Sequence, residues 1–395
     1  MWADGGGAPA HRLSSRPSYI PVVLPRHLYI HVPFCARRCS YCSFAIAVRP
    51  SVPIDDYVQG VVREFAIRYP DAGQFPLDTM YFGGGTPSKL GGEGVARLLG
   101  ALRARVTPAS NAEITLEANP EDVSLGAARA WRESGVTRLS IGAQSFDDRV
   151  LTWMHRTHDA AAIRSAVEAA RTAGFDALSL DLIFALPAAL ARDFERDLRE
   201  AMALEPSHMS VYGLTVEPGT PVARWRERGQ LREAGEDVYE REFLLAHDVL
   251  ATHGLDHYEV SNYARPGHEA RHNSAYWIGA RYAGIGPSAH EFDGASRRWN
   301  VAAYAGWLDR VNGGRDPRDG SETLTQENKR IEEVYLGLRT ADGLQLSCGE
   351  VDLVAPWVEA GWGSIGADGR LRLTPAGWLR VDALAAYLTN IRSRY

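Results

Sequence analysis

The sequence predicts an α/β protein: a partial (β/α)6 TIM-like barrel with a C-terminal winged-helix-like α+β domain. Three observations carry this. First, a unit of helix, small residue, glycine, apolar residue and strand repeats. It reads Ser134-Gly135-Val136 before a strand at 138, Ala173-Gly174-Phe175 before one at 177, and His253-Gly254-Leu255 before one at 257. Glycine just past a helix takes the left-handed turn that ends it. Strands alternating with helices build parallel βα units. Second, Cys35, Gly84, Glu117, Asn119, Gln144, Asp181 and Tyr212 fall late in or just after successive strands, and the C-terminal strand ends of such barrels form their active face. Third, helical periods beyond residue 310 are followed by a hairpin pattern turning at Asp368-Gly369.

Taken in order, residues 1–24 hold Gly5-Gly6-Gly7 and no proper apolar h-region, so they read as a disordered tail or a start-site extension and not a signal peptide. The barrel spans 25–220. Its six strands begin at Leu28, Thr79, Ala112, Arg138, Ala177 and His208. Between them the apolar period places helices at 53–68, 94–105, 121–134, 159–172 and 193–204. Residues 221–310 form a connecting helical region, with a helix over 236–252, the stretch His272-Asn273-Ser-Ala-Tyr276-Trp277, and a loop over 284–290. Residues 311–395 form the winged-helix-like domain: helices at 326–338 and 347–353, the hairpin over 364–373, and a last helix started by Thr374-Pro375. A winged helix often marks DNA binding, but a net charge of −6 with no basic cluster argues against a nucleic-acid partner. With 45% hydrophobic residues and no apolar run of 18, the chain has a globular composition and no transmembrane segment.

Three of the four cysteines lie within eight residues, Cys35-Ala-Arg-Arg-Cys39-Ser-Tyr-Cys42, on a loop after the apolar strand at Leu28. Crowding, an odd cysteine left over and the missing signal argue against disulfides and for a reducing, cytoplasmic setting. Three thiolates suit a [4Fe–4S] cluster with one open iron. A zinc knuckle completed by His31 or Cys348, or three unligated thiols, are the other readings of the spacing. Cys348 by itself reads as a small buried hydrophobe.

C-x3-C-x2-C after a strand resembles the radical S-adenosylmethionine (SAM) superfamily. The flanking Tyr29-x-His31-x-Pro33-Phe34 narrows the resemblance to the coproporphyrinogen III oxidase-like family and its HemW-type heme-chaperone branch, from about residue 25 to the C-terminus. The resemblance implies that Cys35, Cys39 and Cys42 hold a [4Fe–4S] cluster whose open iron takes the amino and carboxylate groups of SAM. An electron from the cluster then splits SAM into methionine and a 5′-deoxyadenosyl radical. It also implies SAM contacts from Tyr29, from the glycine-rich Gly84-Gly85-Thr86, from Glu117 on the ribose, and from Gln144, Arg156 and Asp181. An internal Arg156–Asp181 ion pair is the structural alternative for the last two.

The branch is chosen on two stretches. The oxidase pattern continues C-x-C where this chain has Cys42-Ser-Phe44, and Cys-x-Phe resembles the chaperone branch. The stretch His272-Asn273-x-x-Tyr276-Trp277 resembles that branch's signature, which makes His272 the candidate heme contact, against a plain role as a loop cap. One departure is Ala185-Leu-Pro187-Ala-Ala-Leu190, where the family usually reads Gly-Leu-Pro-Gly-Gln. The implied function is heme binding and delivery to an acceptor hemoprotein, a membrane-associated respiratory one, with a reducing electron donor. The rival readings are oxygen-independent decarboxylation of coproporphyrinogen III and a zinc-stabilised binding module.

Overall fold

The computed structural model describes residues 25–70, 75–347 and 349–393. The expected tail over 1–24 and Cys348 lie outside the described residues. Strand β1 (His27–Val32) enters the cysteine loop, which is closed by two short parallel strands, β2 (Phe34–Cys35) and β3 (Ala47–Val48). There follow α1 (Ile54–Arg68), β4 (Phe75–Gly84), α2 (Gly91–Arg103), β5 (Val106–Ala118), α3 (Leu125–Ser134) and β6 (Arg138–Gln144). Next come α4 (Asp148–Trp153), α5 (Ala160–Thr172), β7 (Ala177–Phe184), α6 (Phe194–Ala203) and β8 (His208–Gly213). β1, β4, β5, β6, β7 and β8 lie side by side in chain order, all parallel. They are the six strands that the pattern predicts.

The crossover helices form where period and caps agree. α2 buries Val95, Leu98, Leu99 and Leu102 on one face, each worth about 1.5–3 kcal/mol of apolar burial. Ser124, Asp159 and Asp193 cap α3, α5 and α6 by accepting from the backbone N–H of Ala127, Ala162 and Arg196, at about 1 kcal/mol each. Gly135, Gly174 and Gly254 take φ of 101°, 88° and 78° at the ends of their helices. The helix expected from 121 begins at Leu125 because a 3-10 turn occupies Pro120–Asp122 and Ser124 is the better cap. The six-residue α4 has too little length to show a period and was not anticipated.

Beyond β8 the chain makes α7 (Pro221–Glu227), α8 (Glu236–Thr252), β9 (Asp256–Glu259), β10 (Asn262–Ala264), α9 (Arg271–Trp277), β11 (Tyr282–Ile285), β12 (His290–Phe292), β13 (Ser296–Asn300), α10 (Tyr304–Asn312) and β14 (Arg318–Thr323). The connecting region therefore supplies strands to the main sheet, whose order is β14-β13-β12-β11-β1-β4-β5-β6-β7-β8-β10-β9. β11 runs parallel to β1 with Tyr29 opposite Gly284, where the sequence suggested a loop. Four residues containing glycine carry no readable period, and the open edge of β1 recruits them. Gly284 is required there, because a Cβ would lie 1.8 Å from the His290 carbonyl oxygen. The sheet ends at β14 and β9 do not pair with each other, so the barrel is open, as six strands imply.

The C-terminal part holds α11 (Gln326–Gly337), β15 (Leu344–Gln345), α12 (Glu350–Glu359), β16 (Gly363–Ile365), β17 (Arg370–Leu373), α13 (Pro375–Trp378) and α14 (Val381–Arg392). β15, β17 and β16 form a separate antiparallel sheet with Gly369 (φ 72°) at the hairpin turn. Thr374 caps α13 as expected, but the last helix is split: Arg380 (φ −114°) interrupts it before α14. Trp378 is buried and its indole N–H donates to the Leu338 carbonyl at 3.0 Å.

Candidate functional site

One cavity of about 430 Å³ runs down the inside of the barrel from the cysteine loop, within the size range of small-molecule and cofactor sites. Cys35, Cys39, Cys42, Gly84, Gly85, Thr86, Glu117, Gln144, Arg156 and Asp181 all line it. They come from the loop after β1, the end of β4, β5, the end of β6, the segment after α4, and β7. Tyr29 and His272 do not line it. Tyr29 lies behind Tyr81, ring centroids 6.2 Å apart, with its hydroxyl 3.1 Å from His31 Nδ1.

Backbone bonds fix the cysteine loop from several sides. The Ala47 N–H donates to Pro33 O and the Arg49 N–H to Cys35 O. The Ser40 N–H donates to Met154 O, and Ser40 O accepts from the Val222 N–H, at 3.0 Å each. The end of β4 is held against the loop by Gly85 N–H to Val32 O and Thr86 N–H to Phe34 O, both 2.8 Å. The glycines are demanded by this closeness. Gly84 has φ 109° and its Cβ would sit 2.5 Å from the His31 ring; a Cβ on Gly85 would sit 2.6 Å from the Pro33 carbonyl carbon. No other residue allows that approach.

Each cysteine sulfur faces a donor. The Thr86 hydroxyl is 3.3 Å from Cys35 Sγ, the Arg156 guanidinium is 3.5 Å from Cys39 Sγ, and the Phe44 N–H bonds Cys42. Burial pushes the Cys35 thiol up to about 11, with the Thr86 hydroxyl pulling the other way, and burial also raises Cys42. Among the described residues no three His, Cys, Asp or Glu side chains are already gathered as a metal-holding group. Three free thiols at one cavity mouth, each with a donor in place for a thiolate, nonetheless fit an iron–sulfur cluster. Metal binding itself deprotonates and completes such sites.

Below the thiols lie two carboxylates. Glu117 Oε1 accepts from the Tyr81 hydroxyl (2.7 Å) and Oε2 from the Gly84 N–H (3.2 Å). Burial pushes its pKa up to about 7, Asp181 adds to this, and the two hydrogen bonds oppose it. Burial likewise pushes Asp181 up to about 6, against hydrogen bonds from Ser210, Ser140 and Ser179. Arg156 does not pair with Asp181. Its Nη2 donates to Asn119 Oδ1 (2.7 Å) and the Gly142 carbonyl (2.9 Å), so the guanidinium braces the ends of β5 and β6 against Cys39. Gln144 closes β6 in a left-handed conformation, φ 69°, just past a register shift.

His272 lies deeper. It is 1% exposed; Nδ1 is 2.7 Å from Thr79 Oγ1 and Nε2 is 2.8 Å from the Tyr276 hydroxyl. Its backbone N–H donates to Glu113 (3.0 Å), and burial pushes its pKa down to about 3. Thr79 precedes Gly84 by five residues of strand, roughly 16 Å, so the ring lies towards the opposite end of the barrel from the cysteines. Phe44, in contrast, is 64% exposed at the cavity mouth.

Residues 29–201 match the radical SAM superfamily. The heme chaperone HemW of Bacillus subtilis is 34% identical over 317 residues, covering 80% of this chain and 84% of the relative. That coverage decides the family. The chain belongs to the radical SAM superfamily, in the HemW family. HemW of Escherichia coli is 38% identical over 67% of this chain and 70% of its own. A mouse mitochondrial radical SAM domain-containing protein is 36% identical over 67% and 60%. The solved coproporphyrinogen III oxidase HemN of Escherichia coli superposes with a TM-score of 0.77 over 92% of this chain and 90% of its own, at 23% identity. That likeness shows the fold. Membership in this superfamily implies a [4Fe–4S] cluster and SAM, and the donor set and glycine cradle described above fit both.

Sequence reasoning missed several lining residues. Tyr81 holds Glu117; Asn119, noted only as a strand end, holds Arg156; Arg138, Ser140, Ser179, His208 and Ser210 line the lower cavity. An inward alternation from residue 138 to 140, and from 179 to 181, was the signal available.

Proposed function

We propose that this protein is a radical SAM-type heme chaperone that binds heme, a [4Fe–4S] cluster and SAM and passes heme to an acceptor hemoprotein. The observation that carries the reading is the joining of two features at one cavity mouth. Three thiols with their donors stand beside the Gly84–Gly85 cradle, and the exposed Phe44 occupies the position where the oxidase pattern has a cysteine. Two relatives that cover 80% and 82% of this chain carry the name heme chaperone. Cluster and SAM, when bound, supply one-electron reductive chemistry at the mouth. Cys35, Cys39 and Cys42 hold the cluster. Gly84, Gly85 and Thr86 offer backbone and hydroxyl contacts to the aminoacyl end of SAM. Glu117 accepts from the ribose hydroxyls, and Gln144, Arg156 and Asp181 shape the remaining wall, with Tyr29 supporting it from behind Tyr81.

The acceptor in this reading is a membrane-associated respiratory hemoprotein, and the site of action is the cytoplasm, with a reducing electron donor. No helix among the described residues is long and apolar enough to cross a membrane. Both His272 ring nitrogens are engaged, so coordinating heme iron through that ring would require breaking one of those bonds. The geometry favours His272 as a brace between β4 and α9.

The experiment is an anaerobic assay of reconstituted protein offered both heme and coproporphyrinogen III, with reductant and SAM. Stoichiometric heme binding without decarboxylation supports the proposal. Conversion of coproporphyrinogen III to protoporphyrinogen IX would replace it with the oxidase reading.

A further inference from the structure

The floor of the cavity carries a charge that the cofactors at its mouth do not explain. Arg138 opens β6 and is 3% exposed, yet it lines the cavity. Its Nη1 donates to the His268 carbonyl at 2.9 Å, while Nη2 is buried with no hydrogen-bond partner. Among the described residues no carboxylate lies within ion-pairing distance of it. Arg138 acts on the Asp181 carboxylate only through space, without a direct contact, and a buried charge with no directly bonded counter-charge is costly. Thr115, its register partner on β5, is 1% exposed, and its hydroxyl is also without a partner and lines the same cavity. Two orphaned donors from adjacent strands therefore border one space.

The lining is tiered along β5. Asn119 marks the cofactor end, Glu117 the middle and Thr115 the floor; each step of two residues is roughly 6.6 Å. The floor lies roughly 13 Å below the Asn119 tier, away from the glycine cradle. His208 and Asn273 also line the cavity. His208 is bonded through Nδ1 to Ser179 (2.7 Å) and through Nε2 to Tyr258 (2.8 Å), and burial holds its pKa well below the ordinary range, so it adds no positive charge. One cation, one free guanidinium nitrogen and one hydroxyl match the single charge and two oxygens of a carboxylate. A phosphate dianion is disfavoured, since Asp181 and Glu117 line the tier above and no second cation lines the floor.

We propose that the floor of this cavity is a subsite for the carboxylate of a small organic acid, held by Arg138 Nη2 and the Thr115 hydroxyl, separate from the SAM site at the mouth. The proposal does not depend on the heme reading.

The test uses reconstituted, SAM-saturated protein and titrates propionate against propionamide, its uncharged isostere, by calorimetry and by NMR of carboxyl-labelled propionate. One propionate should bind per chain, with propionamide at least about tenfold weaker. In Arg138→Gln that preference should vanish while SAM affinity and the cluster spectrum stay as they were. Thr115→Val should weaken propionate roughly threefold to tenfold. If Arg138→Gln does not fold, the comparison of the two probes on the unaltered chain and on Thr115→Val still decides. Absence of propionate binding at tens of millimolar, equal binding of the two probes, or displacement of propionate by SAM would each overturn the proposal. The first of these would leave water as the occupant of Arg138.

Discussion

Tyr81 donates its hydroxyl hydrogen to Glu117 Oε1 at 2.7 Å, and Glu117 reaches with its other oxygen to the Gly84 N–H at 3.2 Å. One carboxylate thus joins the ends of β4 and β5 at the height where the ribose of SAM is proposed to lie. The neutral form of Glu117 is favoured in the folded chain because burial raises its pKa to about 7 from 4.5. The folded state then binds the proton more tightly than the unfolded state. Stability of the cofactor-free protein should fall as pH rises from about 4.5 to about 7 and level off above. Glu117→Gln should remove part of that fall. It should gain about 1 kcal/mol over the unaltered chain at pH 8 and little at pH 4.5, read from denaturant midpoints.

The same residue should make SAM binding pH-dependent in the opposite sense. Ribose hydroxyls donate, so they prefer the ionised carboxylate. Affinity should rise as pH increases through about 7, the raised pKa of Glu117. Glu117→Ala should lower SAM affinity roughly tenfold to a hundredfold at pH 8, since a hydrogen bond to a charged group is worth about 1.5–3 kcal/mol. Calorimetry showing the same affinity in the variant would remove Glu117 from the site.

Alanine at Cys35, Cys39 or Cys42 should each abolish the broad iron–sulfur absorbance after anaerobic reconstitution, whereas alanine at Cys348 should leave it. Iron and sulfide analysis checks the count. Zinc in place of iron and sulfide would point to the binding-module reading.

His272→Ala should leave the heme Soret band where it is and lower stability by about 2–4 kcal/mol. It opens a buried space and strands the hydroxyl of Tyr276, while that of Thr79 keeps His27 Nδ1 at 2.9 Å. A displaced Soret band with reduced heme affinity would instead show that the imidazole leaves its two partners for iron.

Ala185→Gly should stabilise the protein. Ala185 sits at φ 54°, at the position where the family usually has glycine. A left-handed alanine costs about 1–2 kcal/mol, and the greater backbone entropy of glycine in the unfolded chain returns about 0.5–1 of it. The net gain should be roughly 0.5–1 kcal/mol, visible as a higher Tm.

How far the sequence reached can be argued from particular residues. The six parallel strands were legible because the strands after β1 alternate with helices, some with ends marked locally as at Gly135 and Gly174, and because glycines, caps and apolar periods act over a few residues. The cysteine loop was legible for the same reason: thiol chemistry and spacing are properties of one short stretch. From these, and from the resemblance they carried, fold class, family and cofactors followed.

The partners were not legible. Whether Arg156 meets Asp181, or braces Asn119 and Gly142, depends on which strand ends the register brings together. β11 became a strand because the edge of β1 was free to pair with Tyr282–Ile285, a choice made by residues some 250 positions away. The engaged His272 ring and the orphaned Arg138 arise in the same way. Local sequence determined which elements form and which chemical groups they carry. Only the tertiary structure decided which groups are buried together, because desolvation and hydrogen-bond satisfaction depend on neighbours distant in the chain.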